Sequence, residues 1–221
     1  MNRLLLIHTA LDNALAGLSV DGEVKAWRSS PEQRDHAAFL HTAIVGLLKE
    51  CGWRPPELDG VAVVIGPGSY TGLRVGLSAA KGLCYALSKP LIAVNTLEWM
   101  AAGVPPEEGI LKCPMIDARR MEVFTALYDG NGECRMEPRA MVLDPDSFRE
   151  QLDSGRILFF GNGSEKWRPM AAHPNAAFTE TFSGISELAL LAEKAYIHLA
   201  FSDLSTTEPF YAKAFHSPSP R

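Results

Sequence analysis

The nine residues Gly66-Pro67-Gly68-Ser69-Tyr70-Thr71-Gly72-Leu73-Arg74 stand between an apolar run, Val61-Ala62-Val63-Val64-Ile65, and a stretch of helical periodicity from Leu73 to Leu87. The run reads as a strand covered on both faces. Three glycines and a proline at a strand-to-helix junction allow positive φ and a close approach of the backbone to another molecule. With Ser69 or Thr71 capping the helix, the amides there could hold an anion. No Gly-Lys-Ser/Thr follows, so this is not a P-loop, and the glycine spacing at 66, 68 and 72 is not the dinucleotide fingerprint. A tight turn that needs glycine for geometry alone accounts for the same residues. The candidate site is Gly66, Pro67, Gly68, Ser69, Tyr70, Thr71, Gly72 and Arg74.

Other chemistries find less support. Gly68-Ser69-Tyr70-Thr71-Gly72 misses the Gly-x-Ser-x-Gly elbow by one residue, which leaves a hydrolase without its nucleophile. Cys51, Cys84, Cys113 and Cys134 contain no C-x-x-C pair and read as buried thiols in a reducing cytosol. His36 and His41 lie five residues apart, a step of about 500° on a helix, so their side chains point roughly 140° apart and cannot share an ion. No metal site is expected.

Positioning these residues takes a sizeable core, and 47% hydrophobic with 21% charged residues over 221 positions is ordinary for a soluble globular chain. The net charge of −5 comes without a compensating basic block, which makes the chain alone a poor ligand for a polyanion. The apolar opening Leu4-Leu5-Leu6-Ile7 is interrupted by His8, Asp12 and Asn13 before it could serve as a signal peptide, and nothing approaches the roughly 20 apolar residues of a membrane span. A cytoplasmic protein is expected.

Leu6-Ile7-His8-Thr9 and the hairpin that follows have a faint echo 109 positions on, at Met115-Ile116-Asp117-Ala118, with turn chemistry at Asp21-Gly22 and Asp129-Gly130-Asn131-Gly132. After each hairpin set come helix and strand patterns: His36 to Cys51, 61 to 65, 73 to 87 and 91 to 94, then 145 to 152, 156 to 160, 165 to 170 and 185 to 199. This predicts two mixed-sheet α/β lobes. The boundaries are 1–103 for the first lobe and 104–215 for the second, whose last helix is free to pack back on the first, with a disordered tail at 216–221. Gly103 to Gly109 reads as the linker.

The helix from His36 to Cys51 is apolar around most of its circumference, and the next carries Gly72, Gly76 and Ala80 at four-residue spacing. Tight packing on their own sheet accounts for this, and so does a second partner surface. On the second reading His36, Leu40, Ile44, Leu47, Gly76 and Ala80 are interface residues. Asp117 and Arg119 either face a cleft between the lobes or satisfy one another across a tight hairpin.

As a whole word, GPGSYTGLRVG resembles the signature of the bacterial TsaB family, also called YeaZ. Arg34-Asp35-His36, Ile116-Asp117-Ala118-Arg119-Arg120-Met121-Glu122-Val123-Phe124 and Pro209-Phe210-Tyr211 agree with it in order. The resemblance implies a pair of ribonuclease-H-like lobes of the actin and sugar-kinase superfamily. It also implies an accessory, non-catalytic role in making threonylcarbamoyladenosine in tRNA. The expected partners are a TsaD-like transferase, met through the two helices, and a TsaE-like ATPase. tRNA is expected to be reached only through the complex, a homodimer is the competing assembly, and no cofactor is bound tightly, with ATP or ADP at most at the complex interface. The alternative is a free-standing ATP-dependent phosphotransferase of the actin and sugar-kinase type. That chemistry needs an acidic magnesium ligand at the end of the first strand, where this chain has His8 in place of the family's aspartate.

Overall fold

The computed structural model describes residues 1–30, 36–181 and 183–213. Arg34, Asp35 and the tail at 216–221 lie outside the described residues. Among the described residues the chain forms two compact units, 1–104 with 183–210, and 105–181 with 211–213.

The first unit is built on a five-stranded sheet of β1 (Arg3–His8), β2 (Ala14–Val20), β3 (Glu23–Ser30), β4 (Gly60–Gly66) and β5 (Leu91–Asn95), in the order β3-β2-β1-β4-β5. β1, β2 and β3 pair antiparallel; β4 and β5 run parallel to β1. Both faces are covered, which is why Leu4, Leu5, Leu6 and Ile7 are all fully buried. Leu5, Ile7, Leu18, Val61 and Val63 meet α1 (His36–Glu50) and α2 (Tyr70–Leu87) in an aliphatic core. The other face receives α6 (Ile185–Ile197), helped by α3 (Thr96–Ala102). Gly17 admits α6, since a Cβ there would lie 2.6 Å from Ile185 Cγ1.

The second unit repeats the plan with β6 (Ile110–Asp117), β7 (Glu122–Tyr128), β8 (Cys134–Val142), β9 (Arg156–Phe160) and β10 (Ala176–Phe178), in the order β10-β9-β6-β7-β8. Strand senses match as well: β6, β7 and β8 are antiparallel neighbours, while β9 and β10 run parallel to β6. The two ribonuclease-H-like lobes and the 109-residue echo are therefore real features of the fold. The helices of the second unit are short, α4 (Arg149–Ser154) and α5 (Ser164–Trp167), against expected spans of 145–152 and 165–170.

The last helix packs on the first sheet, the option left open for it above. Two expectations need correction. The thiols are not uniformly buried: Cys84 and Cys113 are, Cys51 is intermediate and Cys134 is exposed. Finally, α2 starts at Tyr70, three residues before the apolar periodicity becomes visible. No described helix is long and apolar enough to cross a membrane.

Candidate functional site

β4 ends at Gly66, whose φ of +125° is a glycine conformation, and α2 begins four residues later. Ser69 is the cap: its Oγ accepts the Gly72 N–H at 3.3 Å, while Thr71 lies exposed in the first turn. The glycines face the chain's own carbonyl groups. A Cβ on Gly68 would lie 2.1 Å from the Ala10 oxygen, one on Gly72 2.0 Å from the Thr9 oxygen, and one on Gly66 2.5 Å from the Phe210 oxygen. The Ser69 N–H donates to Ala10 O at 2.7 Å, and the Thr9 hydroxyl donates to Gly72 O at 2.6 Å. Close packing against the β1–β2 turn explains Gly68 and Gly72, and packing against Phe210 explains Gly66; carbonyl oxygens are surroundings of the wrong polarity for an anion. Pro67 is buried within the junction. At its outer edge the Arg74 guanidinium lies 3.9 Å from the centre of the exposed Tyr70 ring.

At the end of β1, His8 is 1% exposed and its ring packs against Trp99 of α3, tilted by 44° with centroids 4.2 Å apart. Neither ring nitrogen makes a well-formed hydrogen bond, although the backbone of Asn13 and of His8 itself lies close enough to favour the charged ring somewhat, an effect that burial outweighs. Burial pushes its pKa down to about 4, with His36 nearby adding to the effect, so the imidazole is neutral at pH 7. A magnesium ion with its shell of oxygens does not fit a neutral, buried imidazole packed against an indole ring. Among the described residues no group of three His, Cys, Asp or Glu side chains could hold a metal.

His36, Leu40, Ile44, Leu47, Gly76 and Ala80 are all buried within the first unit. Leu40, Ile44, Leu47 and Ala80 belong to its aliphatic core, His36 Nε2 meets the Asp12 carbonyl oxygen at 3.1 Å, and a Cβ on Gly76 would lie 2.3 Å from Thr9 Oγ1. These side chains are not a surface that a partner could touch, and a charge at 40, 44 or 47 would break the lobe itself.

The outward side of the same two helices is different. Ala37, Ala38, His41, Thr42, Val45 and Gly46 of α1 are exposed, as are Ser78, Gly82, Tyr85 and Ala86 of α2. A groove of about 450 Å³ lies between the helices, lined by Ala37, His41, Val75, Ser78, Ala79, Gly82 and Leu83. Gly46 and Gly82 sit inside helices with nothing within 4 Å of a built Cβ. Each costs its helix about 1 kcal/mol relative to alanine, for no gain within the chain. Sequence reasoning placed its interface residues on the inward faces of these helices and named none on the outward side. The signal it passed over was a glycine inside a helical pattern at 46 and again at 82.

In the second unit Asp117 closes β6. Its Oδ1 accepts the Arg119 N–H at 2.6 Å and pairs with Lys166, while its own N–H donates to Asn162 Oδ1 at 2.9 Å. The hydrogen bond from Lys166 holds its carboxyl below the usual carboxylate range. Arg119 and Arg120 both take positive φ, at 71° and 51°, in the turn to β7. The ion-pair partner of Asp117 is thus Lys166, with Arg119 contributing its backbone N–H and a weaker effect of its charge.

A family model described as "TsaD: tRNA N6-adenosine threonylcarbamoyltransferase" matches residues 30–203, which places the chain in that wide family. Among individual relatives, the tRNA threonylcarbamoyladenosine biosynthesis protein TsaB of Escherichia coli is 33% identical over 75% of this chain and 73% of its own length. The chain belongs to the TsaB (YeaZ) family. The TsaB protein of Bacillus subtilis is 40% identical, over 62% of this chain, and the match spans 61% of that relative's length. The solved structure of YeaZ from Pseudomonas aeruginosa superposes with a TM-score of 0.79 at 26% identity, over 96% of this chain and all of that one.

Proposed function

We propose that this chain acts in the biosynthesis of threonylcarbamoyladenosine in tRNA as an accessory subunit that does no bond chemistry itself. It pairs, through the outward face of α1 and α2, with a TsaD-like transferase. A TsaE-like ATPase joins that pair, tRNA is reached only through the complex, and ATP or ADP is bound where subunits meet. The observation that carries this reading is the pair of helix-interior glycines, Gly46 and Gly82, beside an open groove of small residues. A surface that gives up helix stability to stay low allows close approach of another helix pair. The neutral, buried His8 packed against Trp99 supports a role without phosphoryl transfer.

The test is threonylcarbamoyl transfer to tRNA from preformed threonylcarbamoyl-adenylate, using the host's TsaD-like and TsaE-like proteins with and without this chain. Product should form only when the chain is present. Gly82→Leu should cut product and co-elution with the TsaD-like protein by roughly thirtyfold, as loss of a central interface position does, without lowering the lone chain's melting temperature. Undiminished product without the chain overturns the proposal; undiminished product with Gly82→Leu moves the interface elsewhere.

A further inference from the structure

After α6 the chain runs back across the first unit as a half-exposed segment, residues 199–210. Three ties hold it. The Ser202 N–H donates to Leu91 O at 2.8 Å, the Lys81 ammonium of α2 donates to Thr207 O at 3.1 Å, and the Phe210 N–H donates to Ile65 O at 2.8 Å. Only Leu204 reaches the aliphatic core, whereas Asp203, Ser205, Thr206 and Glu208 are exposed. The last tie lands on the glycine junction: Ile65 precedes Gly66, and the Phe210 oxygen occupies the space where a side chain at 66 would begin, 2.5 Å from a built Cβ. The bend in the middle is organised locally. Asp203 accepts hydrogen bonds from the Ser205 and Thr206 amides and hydroxyls, which hold its carboxyl down at about 2.

We infer that residues 199–210 form a detachable strap and that the glycine junction is its receptor. The partner that Gly66 accommodates is the chain's own C-terminal peptide, and release of the strap uncovers Gly66 and the Ile65 carbonyl group. A half-exposed segment held by three hydrogen bonds, one leucine and one ring contact opens far below the cost of opening β4, whose residues are all buried apart from Ile65. Its shape survives release because the Asp203 bend draws on no group outside the segment.

Hydrogen exchange on the intact chain tests this. The Ser202 and Phe210 amides should exchange together and roughly a hundredfold faster than Val63 of β4. Gly66→Ala, which puts a methyl group against the Phe210 carbonyl, should speed Phe210 by a factor of about ten beyond the change at Val63, which reads the strain of alanine at a φ of +125°. Should that variant fail to fold, Lys81→Met removes only the Thr207 tie and should speed both strap amides by roughly two- to tenfold. Exchange of Ser202 and Phe210 at the rate of Val63 overturns the proposal, because the segment would then open only with the whole unit. So does an unmoved pair of strap amides in Lys81→Met. Excess magnesium-ADP should leave Phe210 untouched; if it slows exchange at 68–70 and speeds Phe210, the junction is a nucleotide site that the strap merely covers.

Discussion

The two units share a strand order and strand senses yet fill their cores differently. In the first, helices of 15 and 18 residues lie on the sheet and the core is aliphatic: Leu5, Ile7, Leu18, Leu40, Leu47, Val61 and Val63. In the second, the helices at the matching places have six and four residues, and large rings take their volume. Phe148, Phe159, Trp167 and Phe178 contact one another with centroids 4.6 to 6.0 Å apart. Shortening a helix removes apolar cover from a sheet, and the few residues that remain must each bury more area. The same division runs through the strand ends. β1 closes on a dry, neutral His8 and β6 on a solvated, ion-paired Asp117.

The contrast can be broken most directly at Trp167, which is 1% exposed. Trp167→Ala should cost about 3–5 kcal/mol and melt the second unit ahead of the first, seen as two thermal transitions in place of one. A single transition at the original temperature would mean that the aromatic cluster does not substitute for the missing helices.

Next in size is the pH dependence of the strand ends. The folded His8 pKa of about 4 lies below the usual 6.5, so the unfolded chain binds the extra proton first and stability falls as pH drops from 6.5 toward 4. The loss is about 3 kcal/mol if the whole shift is expressed, and His8→Leu should flatten the slope in denaturant titrations at pH 4.5 and 7. Asp117 has its folded pKa depressed, so its pairing contributes above the ordinary carboxylate value and is lost only as pH falls through the folded one. Asp117→Asn should therefore leave the slope between pH 4.5 and 7 intact.

Glycine packing sharpens the comparison at a smaller scale. Gly72→Ala sets a methyl group on the Thr9 carbonyl oxygen, a backbone atom that cannot step aside. Gly163→Ala meets a side-chain carbon, Val123 Cγ1, at 2.8 Å and the Ile116 backbone at 3.0 Å. Both should destabilise by about 1–3 kcal/mol, Gly72→Ala more, as read from denaturation midpoints. The smallest effect has the opposite sign: Gly46→Ala and Gly82→Ala should each stabilise the lone chain by about 0.5–1 kcal/mol.

Much of this fold was legible in the residues. Alternating hairpins and helices, turn glycines and the 109-residue echo led to two lobes of one plan, because period and turn chemistry are local properties. What escaped was set by long-range contact. The periodicity of α6 says that a helix exists there, but not which sheet it covers, and β10 has only three half-buried residues to announce it. Trp99 carries no sequence sign that it will meet His8. For the two-helix surface, an apolar stripe marked what goes inside, and the outside had to be read from the missing side chains at 46 and 82.

The return of α6 to the first sheet bears on how the protein is made. One face of the first-made sheet, with Leu4, Leu6 and Gly17, awaits a helix that does not begin until Ile185. A nascent chain that has emerged from the ribosome as far as the end of β10 carries every strand of both sheets while that apolar face has only α3 for cover. The unit begun first is the one finished last. Arrested chains ending before 185 should therefore be the species that chaperones hold longest.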